Sequence, residues 1–118
     1  MQEPAHNLAP LAPSTVDPAL GAIVDRLVET YHPCRIYLFG SAARGDAGPD
    51  SDYDLMVLAP DNTPPALRDS GRAYRAVWRL GAAVDVLVWS LTDFESRLHL
   101  RASLPSTIQR EGKLLYAA

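Results

Sequence analysis

Apolar residues recur over residues 17–31 at Leu20, Ile23, Val24, Leu27, Val28 and Tyr31, the i, i+3, i+4, i+7 spacing of an amphipathic helix. Asp17-Pro18 opens that stretch as a cap followed by proline at the first helical position, and Pro33 closes it. The pattern then changes character. RIYLF (35–39) predicts a strand that stops at Gly40-Ser41, and DYDLMVL (52–58) predicts a second, closed by Pro60 and a turn-rich DNTPP. A second helix is predicted over about 64–80, with Leu67, Gly71, Tyr74, Val77 and Trp78 facing inward and Gly81 as its stop. AVDVLVW (83–89) predicts a third strand, 93–100 and 105–111 two more helices, and KLLY (113–116), after Gly112, a short edge strand. The order α-β-β-α-β-α-α predicts an α/β or α+β fold, a small mixed β-sheet flanked by helices.

Composition narrows this reading. The chain has 118 residues, enough for one core but not two. Residues 1–16, rich in Pro and Ala and without periodicity, read as a flexible extension, and 17–118 as the domain. A net charge of −3 does not advertise nucleic acid or an anionic membrane as partner. No apolar run approaches the roughly 20 residues of a membrane span, and no basic segment precedes an apolar block as in a secretory signal. The single cysteine, Cys34, precludes an internal disulfide and reads as a small core residue. A cytoplasmic protein is the resulting expectation.

The candidate chemistry lies in GSAARGDAGPDSDYDLMVL (40–58). Side chains alternate across a strand, so Asp52 and Asp54 share the face of Met56 and Leu58, while Tyr53, Leu55 and Val57 take the other. Asp85 interrupts the apolar AVDVLVW and shares a face with Leu87. Alone it could be an ion-paired carboxylate. Two carboxylates about 7 Å apart on one strand repel by about 2 kcal/mol at an effective dielectric near 20, and a third acid adds to this. A cation among them would relieve the repulsion. Hard oxygen donors without clustered His or Cys favour Mg²⁺ or Mn²⁺ over zinc, with positions open for water and phosphates. That donor set points to phosphoryl or nucleotidyl transfer. Gly40 lets backbone approach a ligand closely, and Ser41 opens a short helix as a cap, a phosphate contact, or both. Arg44 stands between a phosphate contact and a solvated charge.

The segment GSAARGDAGPDSDYD fits Gly-Ser, ten residues, then Asp-x-Asp. It resembles the signature of the DNA polymerase β-like nucleotidyltransferases. With VDVLVW and IQREGKLLY it is most similar to the minimal nucleotidyltransferases (MNT) paired with HEPN-domain proteins, over about residues 20–117. The resemblance implies the polymerase β-like fold and an Mg²⁺-dependent transfer of a nucleotide, with ATP as donor, to a protein hydroxyl. It implies that Asp52, Asp54 and Asp85 hold two metal ions, that Asp85 also helps deprotonate the nucleophile, and that Gly40 and Ser41 hold the β- and γ-phosphates. It further implies an antitoxin that adenylylates a HEPN-domain toxin.

A different class of function stays open: a non-catalytic antitoxin or interaction module that neutralises its partner by binding alone. Arg68, Arg72, Arg75 and Arg79 fall on one predicted helical stripe, which reads as a solvated basic face or a contact for an acidic protein partner. Aromatic residues are not interleaved with it, which argues against single-stranded nucleic acid. A repressor of its own operon has that stripe as its sole support. Trp78 and Trp89 read as core or interface residues.

Overall fold

The computed structural model describes residues 18–45 and 52–118. The predicted extension at 1–16, the Asp17 cap and most of the loop before Asp52 lie outside them.

The first helix, α1, spans Pro18–Tyr31 and buries Leu20, Ile23, Leu27 and Tyr31 on its predicted apolar stripe. Strand β1 follows at Arg35–Phe39, then a one-turn helix α2 at Ser41–Arg44 and strand β2 at Tyr53–Ala59. A 3-10 turn at Pro65–Arg68 leads into α3, Ser70–Ala76. Strand β3 is Val84–Ser90, α4 is Leu91–Glu95, α5 is Leu104–Glu111 and β4 is Lys113–Ala117. The sheet runs β3-β2-β1-β4. β1 is antiparallel to β2 and to β4, whereas β2 and β3 are parallel. The sheet is therefore mixed: β1 and β2 pair antiparallel across a long link that contains α2, and the crossover through α3 permits the parallel pairing of β2 and β3.

Strand alternation divides the core in two. Ile36, Leu38, Leu55, Val57, Val84, Val86 and Leu115 meet α1 and α3 on one face. Tyr37, Met56, Leu58 and Leu114 meet Phe94 of α4 and Ile108 of α5 on the other. Tyr37 stacks on the fully buried Phe94 with ring centroids 5.7 Å apart. The turn into β4 needs glycine at 112, where a Cβ would come within 2.6 Å of the Ile108 carbonyl oxygen and 2.8 Å of that of Leu38. Among the described residues no helix is long and apolar enough to cross a membrane.

Several elements differ from expectation. The helix expected over 64–80 is broken at Asp69, whose carboxylate accepts from the Gly71 N–H at 3.1 Å and caps α3 instead of continuing the preceding turn. Ala73 and Val77 form its buried face, while Leu67, Tyr74 and Trp78 are exposed, Trp78 to 72%. Trp78 is thus no core residue. The break also dissolves the arginine stripe. Arg68 sits on the 3-10 turn and donates to the Thr63 carbonyl. Arg72 is used internally, donating to the Thr30 carbonyl at 2.9 Å and lying over the Tyr31 ring at 5.2 Å. Arg79 lies beyond the helix at φ 64°. Ser90 caps α4, which therefore starts before the expected 93 and ends at Glu95 rather than 100. Cys34 is half-buried rather than in the core.

Candidate active site

The parallel register of β2 and β3 pairs Asp54 with Asp85, so these carboxylates leave neighbouring strands on one face of the sheet. Asp52 precedes β2, two residues before Asp54. The antiparallel register of β1 and β2 pairs Phe39 with Asp54, which sets the next residue, Gly40, beside the same carboxylate. Gly40 has φ 75° and ψ −157°, a combination that essentially only glycine adopts. A Cβ there would also overlap the Asp54 carboxylate. Glycine is thus required twice over, by backbone angle and by the acid packed against it. Ser41 begins α2, and Gly45 at φ 82° ends it by donating its N–H to the Ser41 carbonyl. Arg44 is exposed in the last turn of α2.

Asp54 is half-buried, whereas Asp52 and Asp85 are exposed. Burial, then the charge of Asp85, then that of Asp52 hold the Asp54 carboxyl above its ordinary value of 3.8. Like charges are therefore gathered around one carboxylate. Among the described residues, no three His, Cys, Asp or Glu close into a group that would hold a metal ion outright. Asp54 and Asp85 instead make an open pair, with Asp52 acting on Asp54 from the strand's start. Such a set of hard oxygens suits Mg²⁺ or Mn²⁺ whose remaining positions go to water and phosphate. A dication would offset the repulsion by Asp85 and Asp52 that adds to burial in raising Asp54, so the donor chemistry fits it.

A strand–turn–helix with a glycine pressed against paired strand carboxylates is what a family comparison has to explain. The nucleotidyltransferase domain model matches residues 20–115. The chain belongs to that family. The matched range of this nucleotidyltransferase domain takes in β1, β2 and β3, the start of β4, the Gly40-Ser41 turn and the three aspartates.

Among solved structures, a toxin-antitoxin with AMP-PNP is 28% identical with a TM-score of 0.59, over 83% of this chain and 73% of that one. A mutant of the toxin-antitoxin MntA-HpeT is 24% identical with a TM-score of 0.57, over 83% of this chain and 73% of that one. A protein from Sulfolobus solfataricus described as a nucleotidyltransferase is 18% identical with a TM-score of 0.50, over 90% of this chain and 93% of that one. At those identities the last two speak for the fold alone. No curated protein gives a significant match.

Two features of the nucleotidyltransferase domain escaped the sequence. Tyr74, expected in the core, is 44% exposed. Its hydroxyl reaches the outer edge of β3, where it donates toward Asp85 Oδ1 and accepts from the Val86 N–H, each at 3.5 Å. Its inward position on the expected helix concealed this role. The second feature is a cavity of about 350 Å³ lined by Arg68, Val88, Trp89, Ser90, Asp93 and Arg97. It lies at the other end of β3, four residues and roughly 13 Å along the strand from Asp85. This cavity and the carboxylate cluster are thus separate places.

Proposed function

We propose that this chain transfers AMP from ATP to a protein hydroxyl in the cytoplasm, as the antitoxin of a pair whose toxin carries a HEPN domain. The observation that carries this reading is the register that sets Asp85 beside Asp54, with Gly40 against Asp54. Support also comes from a solved relative, a toxin-antitoxin with the adenine nucleotide AMP-PNP, at 28% identity.

In this mechanism the Gly40 turn and Ser41 hold the β- and γ-phosphates, and Arg44 adds positive charge at the end of α2. Asp52, Asp54 and Asp85 would hold Mg²⁺, which supplies charge neutralisation for the triphosphate. Asp85, exposed on β3, takes the proton of the incoming hydroxyl. That oxygen attacks the α-phosphorus, the bond to the β-phosphate breaks, and pyrophosphate leaves. The acceptor in this reading is a partner protein bound in trans, which the solved relative's being a toxin-antitoxin supports.

The test incubates the chain with labelled ATP, Mg²⁺ and the protein encoded beside it, then locates the label by mass spectrometry. The expected product is one or more AMP groups on hydroxyls of the neighbour, absent with Asp54→Asn. Transfer to aminoglycosides but never to that neighbour would overturn the protein acceptor. If Asp52→Asn/Asp54→Asn protects cells from the partner as fully as wild type, neutralisation proceeds by binding alone.

A further inference from the structure

We propose that the chain also transfers a nucleoside monophosphate to a hydroxyl of its own, that of Tyr74. The inference rests on the reading of Asp85 as the group that takes the acceptor's proton. Among the described hydrogen bonds, Tyr74 is the hydroxyl that meets one of the three aspartates, Asp85, at 3.5 Å. The contact is long, and its length does not exclude an acceptor beside its base, since catalytic hydrogen bonds are often long before substrate binds and tighten in the reacting complex.

The phenol has no need of this position for folding. α3 is anchored by the buried Ala73 and Val77, whereas the Tyr74 side chain is 44% exposed. Its second contact, from the Val86 N–H at 3.5 Å, is to an amide on the outer edge of β3 that water would satisfy equally well. What the hydroxyl gains at this location is proximity to Asp85. Because both groups belong to one chain, their encounter needs no second molecule, and an intramolecular acceptor reacts at a high effective concentration.

The step balances without any redox partner. Tyr74 Oη attacks the α-phosphorus of a nucleoside triphosphate, and its proton passes to the Asp85 carboxylate. The bond between the α-phosphorus and the bridging oxygen breaks, and pyrophosphate departs with that oxygen. The product is a phosphodiester joining the tyrosine to the nucleoside.

The experiment incubates the full chain alone with ATP and Mg²⁺ and reads intact mass, followed by peptide mapping. The expected result is one AMP group per chain on the peptide that contains Tyr74. The fraction modified at a given time stays constant across a dilution series of the protein, because the reaction is internal. Tyr74→Phe, which removes only the hydroxyl, and Asp85→Asn remain unmodified while keeping the wild-type circular dichroism. An unmodified wild type, a group on another residue, an adduct that persists in Tyr74→Phe, or a rate that rises with protein concentration overturns the proposal. A parallel sample containing the neighbouring protein separates the two readings. Label on the neighbour without label on Tyr74 overturns self-transfer alone, and label on neither overturns both.

Discussion

Asp54 stands near the start of the parallel pair β2 and β3, and Asp61 lies two residues beyond the end of β2; the same side chain is treated in opposite ways at the two places. Asp61 accepts from the Thr92 N–H at 2.9 Å and from the Thr92 hydroxyl, and these donors hold its carboxyl below 3.8. Nearby, Arg97 lies over the Trp89 ring at 5.4 Å and Arg68 donates to the Thr63 carbonyl. Asp54 meets burial and two further acids, and its carboxyl is held above 3.8. One end of the strand pair settles its charges with local donors. The other concentrates like charge, which is costly to the fold and is useful only where a cation or a proton must be handled.

The most damaging change for this contrast is Asp54→Asn. Nucleotide transfer is expected to fall by at least about a hundredfold, while the melting temperature stays the same or rises slightly because a like charge has gone. A clear loss of stability would mean that Asp54 is a structural carboxylate. Next comes Gly40→Ala, expected to cost about 1–3 kcal/mol for the forced backbone angle alone, measured by chemical denaturation. Transfer should be lost with it, since the new methyl group displaces Asp54.

A smaller effect is expected at the quiet end. Arg97→Ala should cost about 0.5–1 kcal/mol through the lost contact with Trp89 and leave transfer unchanged. Loss of transfer in that variant would move chemistry toward the cavity. The smallest effect is in pH. Because the folded state raises the Asp54 carboxyl, ionised Asp54 disfavours folding above that raised value, and the penalty fades as pH falls toward 3.8. The stability advantage of Asp54→Asn should therefore be present at neutral pH and vanish in acid. Asp61 has the opposite sign: its contribution is present above 3.8 and disappears as pH falls through its lowered value. Comparing melting temperatures of Asp54→Asn and Asp61→Asn across that range checks both signs.

Much of this was legible in the residues. The strand that carries Asp54 was plain in DYDLMVL, though it begins at Tyr53 and leaves Asp52 just before it, and AVDVLVW could hardly be anything but a strand with one misplaced acid. Register was not legible. Nothing in DYDLMVL states that Asp54 faces Phe39 on one side and Asp85 on the other, and that pairing is what brings Gly40 against the carboxylate. The stretch 64–80 misled because periodicity counts apolar side chains but not backbone donors. Pro64-Pro65 and the Asp69 carboxylate divide the segment, so residues beyond the break turn to other directions. Trp78 was thereby assigned inward when it points to water, and four evenly spaced arginines suggested a stripe that the chain never forms. Tyr74 was concealed by the same error, since a residue counted as core is not asked what its hydroxyl does.

Asp85 belongs to the outermost strand of the described sheet, with no further strand on that flank. Asp85 is exposed there, so a large macromolecule could approach it sideways. Selectivity then falls to whatever shape the visitor itself brings to that border.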